Sequence, residues 1–325
     1  MQREFKRSLY IVIFLIIMLF GFALSLLCGS TDLASGEVWR ALMAPTQDAA
    51  SLIIWNLRLP RALLCALVGM NLALAGAILQ GVMQNPLADP NIIGISSGAG
   101  LAGVMVLIVF PAYEYLITPF SFLGALLACL LIYILAWKDG AKPTRVILAG
   151  VAVSAFLGSI ITSLMIFYSD RVHGALMWMV GGLSARGWSH VPLILPYTLA
   201  GIIFAIFAAK YLNILQLGEE MAQGLGVNVE KTRLLLVMVA ALLAASAVSV
   251  VGLLGFVGLV VPHIVRLLLG SDYRLLLPGS GILGLGILLF SDTLARVLLS
   301  PVELPVGIIM AFLGAPFFLY LLRKN

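Results

Sequence analysis

The sequence predicts an all-α integral membrane protein, a polytopic bundle of about ten transmembrane helices forming one domain over residues 1–325. Three observations predict it. The chain is 62% hydrophobic and only 10% charged, whereas a soluble domain of this size carries about a quarter charged residues. Its apolar runs recur at bilayer-spanning length. Those runs are continuous rather than alternating with period two, which selects helices over the strands of a barrel.

Span one covers Leu9–Leu27, after the basic start MQREFKR. That run is too long for a signal peptide and no small-residue cleavage site follows it, so it reads as a retained span. A polar segment with a short surface helix near Gly36–Met43 leads to span two, Arg61–Leu79. The loop GVMQNPLADPNIIGISSGAG carries two prolines that end or restart helices. Span three is Ile92–Val109, span four Phe120–Trp137, and the tight loop KDGAKPTR leads into span five, Val146–Tyr168. A short interfacial helix holding Met177, Trp178 and Met179 precedes span six, Leu193–Ala209. Span seven is Leu234–Leu253. Span eight, Phe256–Leu269, is short and broken by glycine, and spans nine and ten are Leu276–Leu294 and Val306–Leu322.

Charge bias orients this set. With both termini in the cytoplasm, 13 of the 19 Lys and Arg residues fall at inner ends and 6 at outer ends, in keeping with the positive-inside rule. The net charge of +5 therefore reflects orientation in lipid and implies no nucleic-acid partner. Cys28, Cys65 and Cys129 have no metal or disulfide spacing. The histidines His173, His190 and His263 are dispersed, no nucleophile–base pair stands at useful spacing, and GISSGAG lacks the lysine of a phosphate loop. The chain is expected to be non-catalytic, with no bound metal or cofactor.

Between spans six and seven, KYLNILQLGEEMAQGLGVNVEKTR is polar yet helix-like. Leu215, Leu217, Met221, Ala222, Leu225 and Val227 suit the apolar side of one or two short helices, with Gly218, Gly224 and Gly226 as breaks. It is either a docking knob or a solvated loop. On span five, Gly150, Ser154 and Gly158 form a small-residue stripe suited to close helix packing or to lining a path. Asp292 and Arg296, four apart, suit a local ion pair. Arg58, Arg61 and Arg296 stand at outer span ends as exposed cations, either solvated, bound to lipid phosphate, or paired with acidic residues of an external protein. No ionisable group is central enough to argue for ion coupling.

Several long stretches carry a resemblance to a known family. They are RLPRALLCALVGMNLALAGAILQGVMQNPLADPNIIGISSGAG from Arg58, RVILAGVAVSAFLGSI from Arg145, LGEEMAQGLGV from Leu217, GLLGFVGLVVPHIVRLLLGSDYRLLLPG from Gly252, SDTLARV from Ser291 and ELPVGIIMAFLGAPFFLYLL from Glu303. Together they resemble the permease subunit of bacterial ABC importers for iron–siderophore, haem or cobalamin, of the type II importer fold. The resemblance implies a homodimer in the bacterial inner membrane with a path at the dimer interface. It implies two partner ATPase subunits, which use ATP and Mg, and a periplasmic or lipid-anchored substrate-binding protein. Cytoplasmic coupling helices at about 213–227 then seat in the ATPase through Leu215, Leu217, Gly218, Glu219, Met221, Ala222, Leu225 and Gly226. Arg58, Arg61 and Arg296 match the family's anchors for the binding protein. Gly150, Ser154 and Gly158 line the path, and Pro143 and Thr144 match the cytoplasmic gate, where proline replaces a small hydroxyl or similar residue.

Overall fold

The computed structural model describes residues 2–91, 94–138, 140 and 142–324. Seven helical stretches are long and apolar enough to cross a bilayer, and three shorter apolar helices, Ile95–Val109, Val257–Leu269 and Val306–Tyr320, complete a set of ten among the described residues. In chain order the helices are α1 (Gln2–Leu27), α2 (Ser35–Met43), α3 (Ala49–Ile53), α4 (Leu59–Val82), α5 (Ile95–Val109), α6 (Ile117–Ala136), α7 (Pro143–Phe167), α8 (Val172–Val180), α9 (Val191–Leu215), α10 (Glu219–Gly224), α11 (Val229–Val251), α12 (Val257–Leu269), α13 (Tyr273–Val297) and α14 (Val306–Lys324). The expected surface helix is α2 and the expected interfacial helix is α8. The start expected for span three, Ile92, lies outside the described residues.

The bundle is built on α4. Buried residues make up 83% of its apolar window, followed by α11 at 72% and α13 at 67%, while α1, α6, α7 and α9 lie between 22% and 33%. Close approach needs small residues, since lipid gives no hydrophobic drive for helices to associate. Gly69 lies against the Gly284 backbone of α13 and Gly76 against the Gly258 backbone of α12, so a Cβ at either would collide with a carbonyl. Asn71 Nδ2 donates to Ser246 Oγ at 3.0 Å, a buried polar tie from α4 to α11.

Several span boundaries move outward by a few residues, and two of the shifts bear on the site. Span six runs on through Lys210 to Leu215, because nothing breaks the helix before Gly218. Span five begins at Pro143, whose fixed φ and missing N–H suit a first helical turn. Pro143 and Thr144 therefore belong to α7 itself and not to the loop that precedes it.

Candidate functional site

Three places stand out, one at each end of the bundle and one along its side. At one end, α10 is a compact knob. Gly218 (φ +96°) and Gly226 (φ +80°) bracket it in backbone conformations that a residue with a Cβ adopts only with strain. Leu217, Met221 and Leu225 recur every four residues and are 55%, 62% and 60% exposed. They form a bare apolar row on one side of the knob. Leu215 and Ala222, expected among the contact residues, are buried instead. They root the knob in the subunit and have no surface to offer a partner.

That rooting is polar as well. Arg233 of α11 is buried and holds Glu219 at 2.7 Å and Glu230 at 3.2 Å. Gln216 Nε2 donates to the Gly81 carbonyl at 2.9 Å, and Gln84 Nε2 donates to the Leu215 carbonyl. Both bonds join the base of the knob to the end of α4. Two hydrogen bonds thus tie the base of the exposed row to the most buried helix, and a buried guanidinium ties it to α11. The sequence named the row but not its partners: Gln84 lies in another segment, and Arg233, though it closes the same stretch, stands fourteen residues from Glu219 with no local spacing to mark the pair.

At the other end the three arginines come together, with one correction. Arg58, Arg61 and Arg296 are not exposed; they retain 4%, 9% and 3% of their surface. Arg58 Nη1 donates to the Leu26 and Leu27 carbonyls at 2.7 and 2.8 Å, and Arg296 Nη2 donates to the Ser25 carbonyl at 3.1 Å. These are carbonyls at the C-terminus of α1, which lack partners within the helix and carry its partial negative charge. Arg61 holds Asp292 at 2.9 Å and Glu303 at 2.6 Å, and Arg296 holds Asp292 at 3.1 Å. The expected Asp292–Arg296 pair is present. Its third member, Arg61, stands 231 residues away and is invisible to local spacing. A buried carboxylate shared by two guanidiniums is the arrangement in which charge tolerates burial.

A cavity of about 310 Å³ opens beside this network, lined by Arg58, Arg61, Arg186, Arg296 and Glu303 among others. Burial pushes the Glu303 carboxyl up, but its hydrogen bond to Arg61 and the charge of that guanidinium outweigh burial and hold it below its ordinary value. Arg186, which sequence reading gave no role, is the fourth cation of the cavity.

Along the side, α7 leaves most of its surface uncovered. The Gly150, Ser154 and Gly158 stripe does not face one way. Gly150 is buried, the Ser154 hydroxyl sits under the loop at Gly94, and nothing lies within 4 Å of where a Cβ of Gly158 would be. Steps of four residues advance about 40° beyond a full turn each, so the stripe winds from a packed face to an open one. The open face continues through Ser159, Thr162 and Ser163, which donate to the carbonyls four residues back at 2.9, 3.0 and 2.9 Å. Their donors are spent within the helix, and the exposed wall is smooth and uncharged.

Comparison with known proteins agrees with this architecture. The model of the FecCD transport family matches residues 16–324. The chain is 39% identical to the Fe(3+)-citrate import system permease protein YfmD of Bacillus subtilis over 324 residues, covering 100% of this chain and 97% of that protein. It is 43% identical to the cobalamin import system permease protein BtuC of Halobacterium salinarum, covering 90% and 81%. A solved chain described as an inward-facing conformation of a metal-chelate type ABC transporter superposes with a TM-score of 0.86 at 28% identity, covering 97% of this chain and 99% of that one.

Proposed function

Because the chain belongs to the FecCD transport family, we propose that it is the membrane-spanning permease of an ATP-driven importer that carries a ferric chelate into the cytoplasm. The observation that carries this reading is the α10 knob, a bare apolar row braced against the helix at the centre of the bundle. Such a row is what a separate ATPase grips. On this reading the knob faces the cytoplasm, both termini lie on that side, and two ATPase subunits hydrolyse ATP with Mg while this chain catalyses nothing. Leu217, Met221 and Leu225 make the contact. Leu215, Gly218, Glu219, Ala222 and Gly226 shape and hold it.

The Arg58–Arg61–Arg296 end then faces the substrate-binding protein. Its arginines act from inside the cavity, so an acidic side chain of that protein must enter to meet them, and the network keeps the cavity open. A second copy of the chain covers the exposed faces of α7 and α14, leaving the Gly158–Ser163 wall on the path, with Pro143 and Thr144 at its cytoplasmic end. Closure of the ATPases displaces α10, α4 and α9 follow, and the path changes the side on which it opens. Such coupling requires contacts that differ between the two states. A wall without strong ligands suits a cargo that crosses as an intact chelate.

The test is reconstitution in vesicles with labelled ferric citrate. Uptake is expected only when the chain is combined with its ATPase, its binding protein and ATP. Uptake by the chain alone under a proton or sodium gradient overturns the reading. Replacing Leu217 and Met221 by serine is expected to cut ATPase co-purification by about tenfold or more, the loss typical of contact residues at the centre of an interface.

A further inference from the structure

A groove of about 390 Å³ runs along the outside of the bundle between α9 and α13, with α4 as its floor. Its walls are Ile202 and Ile206 of α9 and Leu277 and Ile282 of α13, and its floor is Met70 and Leu74. It runs along α13 from Tyr273 to Ile282, about 13 Å at the helical rise of 1.5 Å per residue. Pro278 and Gly281 keep it open, because neither sends a long side chain across it. No carboxylate lines it.

One end of the groove is cationic. Arg274 lines that end and is exposed. Lys210 is exposed on α9 directly after Ala209, which lines the groove, so it stands at the rim of that same end. Neither forms an ion pair among the described residues. The nearby carboxylate, Asp272, accepts from Asn213 at 2.7 Å and from the Arg274 backbone at 3.0 Å, and it feels the charges of Arg274 and Arg7 without a direct ion pair to either among the described residues. Arg7 adds a further guanidinium, 3.4 Å from where a Cβ of Gly270 would lie. The cations gather on the membrane face that carries α10, since Asn213 and Gln216 lie between them and the knob.

We propose that this groove is a binding site for an anionic phospholipid, with an acyl chain along Ile202, Ile206, Leu277 and Ile282 and its phosphate between Arg274 and Lys210. An apolar slot of this depth, open to the side and closed by two unpaired cations at headgroup level, matches one lipid of one leaflet. The cations select charge and the slot selects a chain. The site does not depend on the transport reading. It sits one helical turn from the Asn213–Asp272 joint at which α9 meets α13 below the knob.

The test uses the full chain in vesicles of phosphatidylethanolamine and phosphatidylglycerol in equal amounts, extracted gently and analysed by native mass spectrometry. Retained lipid is expected to be enriched in phosphatidylglycerol by about twenty-five-fold, the product of two cations each favouring an anionic lipid by about fivefold. The pair Arg274→Gln with Lys210→Gln is expected to abolish that enrichment while a lipid is still retained. Arg274→Lys with Lys210→Arg is expected to keep it. Gly281→Leu, whose Cβ meets Met70 and Leu74 at ordinary contact distances of 3.5 and 3.7 Å, is expected to lose retained lipid of either kind. Unbiased retention by the native chain overturns the proposal. So does enrichment that survives the double glutamine variant, or a groove found covered by a second copy of the chain.

Discussion

Helices α4 and α7 are near equals in sequence, being 24 and 25 residues long and mainly apolar. In the fold they are opposites: buried residues fill 83% of the apolar window of one and 22% of the other. Apolar character therefore says that both prefer lipid to water, but not which of them meets lipid. The difference lies in what each carries between its large residues. Helix α4 places Gly69 and Gly76 where two other backbones must pass. Helix α7 places Gly158 where no described residue comes within 4 Å of a Cβ, and three self-bonded hydroxyls on its exposed surface. The first is the spine of the bundle, and the second is surface that the described residues leave uncovered.

The strongest way to break the comparison is to fill the spine. Gly76→Leu drives a side chain into the Gly258 carbonyl, and backbone on both sides cannot yield. Loss of monodisperse protein in size-exclusion chromatography is expected, beyond the cost of about 1–3 kcal/mol typical of ordinary overpacking. A well-folded variant would mean that the helices separate easily. Next in size is Asp292→Asn, which leaves Arg61 and Arg296 buried without their shared anion. Breaking such a pair costs about 3–5 kcal/mol, read as a fall in the thermal midpoint in detergent. An unchanged midpoint would show the network to be ornamental.

Acid tests the same end more gently. The folded-state value of Glu303 lies below its ordinary 4.5, so its contribution is present above that pH and is lost as pH falls through the depressed value. The difference between the thermal midpoints of the native chain and the Glu303→Gln variant should hold steady above pH 4.5 and shrink as pH falls below it. The smallest effect on stability belongs to α7. Gly158→Leu meets open space, so a change within about 0.5 kcal/mol is expected, together with reduced uptake if that face lines the path. A large destabilisation would place α7 in the core after all.

Much of the plan was legible along the chain. Apolar runs of bilayer length give the helices wherever they lie, because the bilayer imposes the same length and the same internal hydrogen bonding on each. The glycines at 218 and 226 mark the ends of α10, and the four-residue spacing of Leu217, Met221 and Leu225 marks its bare face. The arginines at the opposite end were misread as exposed. Basic residues at span ends usually reach for water, and nothing near Arg61 in sequence announces Asp292 or Glu303. Leu215 and Ala222 were assigned to a contact surface for a similar reason: periodicity groups apolar residues without saying which side faces the chain's own core.

The sequence by itself determined what kind of solvent this protein lives in, that a bundle of apolar helices crosses it, and where the chain breaks them. Those properties follow from local composition and from backbone rules that act over a few residues. Only the tertiary structure decided that α4 is central and α7 bare, that three arginines point inward, and that Gln84 and Gln216 tie the knob to the spine while Arg233 ties it to α11. Each of these depends on which distant segments meet, and in a bilayer the choice among equally apolar helices is made by the shape and polar partners of residues far apart in the chain.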